Sequence, residues 1–164
     1  MILAIACAAG CILFGAFIIL SVIKDPTAWI CEYPEAAQKR YIALHPGSSI
    51  KEPEGLSPGV ILKKTAACLV FLFLLTGMVL LVGAASFAQG ALYAYCIWFV
   101  VNAFDTFVLD LGLMVHWKKC RLPGTEDMDS AYRSLVKKSL SDGLCGCVIG
   151  IPVALCAGLL VLLL

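Results

Sequence analysis

Residues 102–117 read NAFDTFVLDLGLMVHW, and the interpretation of the whole chain depends on this stretch. It is apolar enough to lie inside a lipid bilayer, yet it carries an asparagine, two aspartates, a threonine and a histidine. An aspartate at the bilayer centre costs roughly 2.5–3.5 kcal/mol on insertion scales, so an ionisable residue within a span is a functional candidate by default. The rest of the sequence indicates whether this stretch crosses a membrane and which residues it buries.

The composition of the chain is that of an integral membrane protein. Of its 164 residues, 62% are hydrophobic and 14% are charged, and the mean hydropathy is +0.97. Soluble domains carry about 25% charged residues, so a chain this apolar cannot cover its surface with polar groups in water. The net charge of +1 gives no basis for a nucleic-acid partner, and the expected partner is the lipid bilayer.

Four apolar runs are each long enough to cross a hydrocarbon core of about 30 Å as a helix. Helices are expected because every backbone amide in a membrane must find a partner within its own segment. The sequence therefore predicts an all-α, polytopic integral membrane protein, a four-transmembrane-helix bundle that forms a single membrane domain. The spans are predicted at about residues 2–23, 66–85, 92–115 and 144–164.

The positions of the basic residues predict how this bundle is oriented in the membrane. All twelve lysines and arginines fall in or beside the connections at residues 24–59 and 117–143, and none lies near either terminus. The positive-inside rule places these connections in the cytosol. We therefore expect a multi-pass protein of the plasma membrane or the bacterial inner membrane, with both its N- and C-termini extracytoplasmic.

Short amphipathic helices are expected in both connections, at the cytosolic surface. Residues 34–44 predict the first, and residues 125–140 predict a second, with Thr125 as its N-cap. The acidic group Glu126, Asp127 and Asp129 is also compatible with a magnesium- or phosphate-handling site, but a well-capped helix is the simpler interpretation. The chain has no zinc-type motif and no glycine-rich phosphate loop, so neither a metal nor a cofactor is expected.

In a regular helix, the polar residues of the third span share one face. At about 100° per residue, Asn102, Asp105, Thr106 and His116 form a stripe, and Asp110 lies at its edge. The other directions are largely apolar. We therefore expect the stripe to be buried against the other helices of the bundle.

Depth separates the two carboxylates of this stripe. If the second and third spans form a hairpin, Lys64 lies about level with Asp110, and an ion pair between them explains Asp110. No basic residue lies level with Asp105 in any of the four spans. A buried carboxyl without a cation favours its neutral form. Asp105 is therefore the predicted centre for binding a proton, an ion or a small ligand, assisted by Asn102 and Thr106; the alternative is a structural hydrogen bond between helices.

The fourth span carries a small residue at every fourth position. Such a ridge allows the backbones of neighbouring helices to approach closely. Tight packing within the bundle is the expected use, and assembly into a homo-oligomer or a larger membrane complex is the alternative. The predicted helix-packing residues are Gly146, Gly150, Ala154 and Gly158.

Three functions remain open from the sequence. The first is a binding or transport-type protein, or an accessory subunit, with Asp105 as its protonatable centre. The second is a membrane-embedded enzyme that acts on a lipid from the cytosolic side through Asp110, His116 and residues 123–127. The third is a purely structural assembly partner whose polar stripe only holds the bundle together. The sequence identifies no catalytic residue and favours the first function over an enzyme.

Overall fold

The computed structural model describes the backbone of residues 1–25, 27, 29–46 and 58–164, and the side chains of these residues apart from 31, 58–61, 63, 64 and 67. The described chain is all-helical and contains no strand. A π-helical segment follows the fourth helix directly, and single 3-10 turns occupy Ile30–Glu32 and Lys118–Cys120. The helices are α1 (Ile2–Lys24), α2 (Glu35–Leu44), α3 (Pro58–Val82), α4 (Phe87–Phe104), the π segment (Asp105–His116), α5 (Asp129–Arg133) and α6 (Leu135–Leu163).

Three helical stretches of the described chain are long and apolar enough to cross a membrane. They are Ile2–Lys24, Phe87–His116 and Asp129–Leu163. The apolar part of α3 that can be assessed, Cys68–Val82, is shorter than these three. The structure thus supports an all-helical chain with three helices apolar enough to cross a membrane, one fewer than the sequence predicts.

The last helix is longer than its apolar run. It begins at Leu135, nine residues before the predicted start of the fourth span. The separate surface helix predicted for residues 125–140 is wrong, because only Asp129–Arg133 forms a short helix of its own and the residues after it belong to α6. Thr125 is not an N-cap, since its hydroxyl donates to the Leu122 carbonyl at 2.7 Å within a buried turn. Apolar composition marks where lipid begins, whereas helix-forming residues such as lysine carry the helix beyond that point.

A tight turn reverses the chain between α3 and α4. Gly83 has a φ of 96°, a left-handed conformation that glycine adopts at little cost. The amide of Ala84 donates to the Val79 carbonyl at 3.3 Å and closes the end of α3. The Ser86 hydroxyl then caps α4 by accepting the Gln89 amide at 3.3 Å. These caps satisfy backbone groups that a lipid environment would leave without partners.

The described chain groups into two compact units. The first unit comprises Met1–Ile12, Glu54–Asn102 and Leu144–Leu164. Its outer leucines are strongly exposed, with Leu81 at 83% and Leu162 at 65%, which suits a surface that faces lipid. Its core consists of Leu75, Val79, Ala84, Ala94, Ile97, Ala154, Ala157 and Val161.

The second unit comprises Leu13–Pro53 and Ala103–Gly143 and has a more polar interior. The predicted helix at residues 34–44 is confirmed here as α2. The Tyr33 hydroxyl donates to the Cys120 carbonyl at 2.9 Å and so ties the first connection to the second. The core consists of Ile30, Tyr33, Ala37, Val115, Leu122, Tyr132 and Leu135.

Candidate functional site

The predicted polar centre lies in the π segment and not in a regular α-helix. In a π-helix each amide bonds to the carbonyl five residues earlier instead of four, so side chains no longer follow the 100° spacing. Asp105 and Asp110 are five residues apart, which is the hydrogen-bonding interval of a π-helix, so both fall on the same side of the segment. Stretches of π-helix are rare and frequently occur at functional sites.

Asp105 is half-buried in the second unit, in an acidic environment. The charged groups close enough to act on it are Asp110 and Glu32, both negative. Among the described side chains, no ion pair includes Asp105. Asp105 and Asp110 therefore repel each other when both are ionised, while Glu32 is itself paired with Lys138. A proton bound at Asp105 or Asp110 would relieve that repulsion.

Asp110 lines a small polar hollow between the π segment and the start of α6. The buried Ser139 hydroxyl donates a hydrogen bond to the Asp110 carboxylate. Lys138 also lines the hollow, and its Nζ lies 2.5 Å from Glu32 and 3.2 Å from Asp142. The hollow measures about 20 Å³, which is room for about one water molecule.

The predicted ion pair between Lys64 and Asp110 lies outside the described side chains, because Lys64 is not among them. The cation that the structure does place near Asp110 is Lys138, which belongs to α6. The sequence gives no indication of this contact, because residue 138 falls in the predicted surface helix.

The two predicted helper residues each face a glycine of α6. In the second unit, Thr106 is 6% exposed, and a Cβ placed on Gly143 would lie 3.1 Å from its Cγ2. In the first unit, a Cβ placed on Gly146 would lie 2.9 Å from Cγ of Asn102. The Asn102 side-chain nitrogen also donates to the Cys147 sulfur at 3.5 Å. The absence of side chains on α6 therefore makes room for polar groups of the facing helix.

Within the first unit, α4 packs against the small residues of α6. A Cβ placed on Gly150 would lie 3.0 Å from Cγ of Trp98, and the Trp98 indole nitrogen donates to the Gly146 carbonyl at 2.8 Å. A Cβ placed on Gly158 would lie 3.0 Å from Cβ of Ala91. Gly146, Gly150 and Gly158 thus lie where α6 meets α4, and Ala154 is buried in the core of the same unit.

His116 ends the π segment and is exposed. Its Nδ1 lies 2.5 Å from the carbonyl oxygen of Leu111, five residues earlier. The hydrogen-bond partner found for this ring is therefore a backbone carbonyl and not the Asp110 carboxylate.

A buried network around Arg121 has no counterpart among the predicted site residues. The side chain is 4% exposed, and its Nη1 donates to the Glu126 carbonyl at 2.7 Å and to the Asp129 carboxylate at 2.5 Å. Nη2 donates to the Val115 carbonyl at 2.8 Å, and the guanidinium lies 4.5 Å above the centre of the Tyr132 ring. In a loop rich in lysine, an arginine is indistinguishable from the basic residues that set the orientation in the membrane. The sequence therefore carries no signal for this network.

The acidic residues near Arg121 are used as internal acceptors. Asp127 pairs with Arg40 at 2.9 Å, and the Glu126 carboxylate accepts the Gly124 amide at 3.0 Å. Within the residues that the structure describes, no group of three or more potential metal ligands comes together. These contacts account for the three acids through hydrogen bonds and ion pairs of the protein itself.

No protein-family model, curated protein or solved structure matches this chain. What the fold and the site define is an all-helical protein with three helices apolar enough to cross a membrane and two carboxylates on a π-helical segment. The function is therefore argued from the site alone.

Proposed function

We propose that this chain is a small multi-pass membrane protein that binds a proton at a centre formed by Asp105 and Asp110. The observation that carries the proposal is the environment of Asp105, on which the carboxylates of Asp110 and Glu32 act electrostatically. Ionising both of two carboxylates in a poorly solvated site costs free energy, because their negative charges repel. One of the two therefore retains a proton. The protein would act as a transport-type component or as an accessory subunit of one.

The size of the site supports a proton over a larger ligand. The hollow beside Asp110 has room for about one water, and the described residues offer no three-ligand metal group. Ser139 and Lys138 supply a hydroxyl and an ammonium beside the carboxylates, which together form a short polar path. Such chains of ionisable and hydroxyl groups suit proton movement within a membrane protein.

We propose four spans for the topology, with α3 as the span beyond the three that length and composition support. Helix α3 is 25 residues long, which corresponds to about 37 Å at 1.5 Å per residue. It is joined to α4 by a capped turn without a charged residue. Four spans also place both termini on the side opposite the basic connections, in agreement with the positive-inside rule.

The proposal is tested by infrared spectroscopy of the purified protein in nanodiscs during a pH titration. A protonated carboxyl gives a C=O stretching band that an ionised carboxylate lacks. We expect the wild-type protein to retain such a band at pH 7 and Asp105→Asn to lose or shift it. The matched control is Asp127→Asn, the same chemical change at an exposed aspartate that is already paired with Arg40.

Two results would contradict proton binding. One is a wild-type protein without a protonated-carboxyl band at pH 7. The other is a band that is identical in the wild type and in Asp105→Asn. If Asp105→Asn leaves the band unchanged and lowers only the thermal unfolding temperature, Asp105 is structural and the chain is better described as an assembly partner.

A further inference from the structure

A second cavity lies at the far end of the π segment from Asp105, and the proposed proton site does not use it. It measures about 170 Å³, roughly ten times the space that one water molecule needs. It lies wholly within the second unit. Its lining residues are Val115, His116, Lys118, Arg121, Asp129 and Arg133, and we call it the arginine cavity.

The arginine cavity is positively charged. Lys118, Arg121 and Arg133 contribute three positive charges against the one negative charge of Asp129, so two positive charges remain even with His116 neutral. Asp129 is itself occupied, at 2.5 Å from Arg121 and 3.9 Å from Lys118. The balance of charge in this cavity therefore favours an anion.

The state of Arg121 is a second, independent observation. Its side chain is 4% exposed and its Nη atoms have acceptors, but its Nε is buried without a hydrogen-bond acceptor among the described residues. A buried donor without an acceptor costs about 1–3 kcal/mol. The planar guanidinium is suited to the oxygens of a carboxylate or a phosphate. Arg121 lines the adjoining cavity, so an oxyanion there would place negative charge beside its guanidinium.

The position of the cavity indicates which oxyanion. It lies where the apolar stretch Phe87–His116 ends, beside Trp117, whose side chain is 47% exposed. Tryptophan is enriched at the level of the lipid headgroups, and basic residues next to a span attract anionic lipids. We infer that the arginine cavity binds a phosphate group, supplied by the headgroup of an anionic phospholipid or by free phosphate. This inference does not rest on the proton-binding role of Asp105.

The test is isothermal titration calorimetry on the full-length protein in an uncharged detergent. Three ligands are compared: inorganic phosphate, a short-chain phosphatidic acid, and the corresponding diacylglycerol, which lacks the phosphate. We expect phosphatidic acid to bind and diacylglycerol not to bind. Binding of inorganic phosphate with comparable affinity would identify free phosphate as the source, whereas binding of phosphatidic acid alone would identify the lipid.

Variants at the rim of the cavity give the sharper comparison, because they leave the buried Arg121 in place. Lys118→Gln and Arg133→Gln each remove one lining charge, and each should weaken phosphate binding about fivefold. Lys119→Gln is the matched control, since it removes the same charge from the next residue, which does not line the cavity. It should bind with the affinity of the wild type.

The inference is overturned if neither inorganic phosphate nor phosphatidic acid binds. It is also overturned if Lys119→Gln weakens binding as much as Lys118→Gln does, since that result describes attraction to a basic surface without a defined site. Equal binding of diacylglycerol would show that the acyl chains, and not the phosphate, are recognised.

Discussion

At the scale of single residues, the charged side chains of the second unit find partners far away in the sequence. Arg40 bonds to Asp127, 87 positions later, and Lys138 bonds to Glu32, 106 positions earlier. Exposed ion pairs of this kind are each worth only about 0–1 kcal/mol. Their value here is geometric, because they hold the first connection against the second.

The pair between Arg40 and Asp127 predicts a pH-dependent contribution to stability. The hydrogen bond from Arg40 lowers the pKa of Asp127 below its ordinary value of 3.8. A carboxyl with a lower pKa in the folded state stabilises the fold above its unfolded pKa, and it loses this contribution as the pH falls through the folded pKa. The thermal unfolding temperature of the wild type should exceed that of Asp127→Asn at pH 7, and the difference should shrink as the pH falls below 3.8.

A double-mutant cycle assigns this effect to the pair. In an Arg40→Gln background, Asp127→Asn should change the unfolding temperature little at any pH. If the difference between aspartate and asparagine keeps its full size without Arg40, another group is responsible and the assignment is wrong.

At the scale of elements, the contact between α4 and α6 depends on glycines that cannot be enlarged without cost. Gly150→Ala places a methyl group against the Trp98 indole, 3.0 Å from its Cγ and closer still to its Cδ1 and Nε1. Overpacking of this kind costs typically about 1–3 kcal/mol. We expect a lower thermal unfolding temperature in detergent, measured by the intrinsic fluorescence of the protein.

Gly77→Ala is the matched control for this substitution. Gly77 lies in α3, and a Cβ placed there meets nothing within 4 Å among the described residues. The same chemical change should therefore be neutral or stabilising by up to about 1 kcal/mol, since alanine forms helices better than glycine. If Gly150→Ala instead keeps its stability and changes the oligomeric mass, the small-residue ridge serves contacts between copies of the chain.

At the scale of the whole molecule, the number of spans decides where the termini lie. Four spans put both termini on one side of the membrane, whereas three spans put them on opposite sides. We expect epitope tags at the N- and C-termini both to be removed by protease added outside bacterial spheroplasts. A tag inserted in the connection of residues 24–59 should be protected in the same preparation.

One result of this experiment would remove α3 from the membrane. If one terminal tag is cleaved and the other is protected, the chain crosses the bilayer an odd number of times, as expected for α1, α4 with the π segment, and α6 alone. The two basic connections would then lie on opposite sides of the membrane, because α3 would no longer cross between them. The proposal that both are cytosolic would be wrong.

The sequence by itself determined the features that depend on local composition. Long apolar runs indicated helices because a buried backbone must satisfy its own hydrogen bonds, and three of the four runs belong to helices that can cross a membrane. The short helix at residues 34–44 and the absence of strands in the described chain follow in the same way. Small residues at every fourth position of α6 were visible as a pattern because their spacing is that of one helix face.

Only the tertiary structure decided the features that depend on distant contacts. The π segment brings Asp105 and Asp110 together, although nothing in residues 105–116 distinguishes them from a regular helix. The burial of Arg121 and the place of Lys138 near Asp110 depend on neighbours that fold back from other segments. A residue's type states what it can bond to, but which acceptor lies within 3 Å is set by how the helices pack, and that packing is not a local property of the chain.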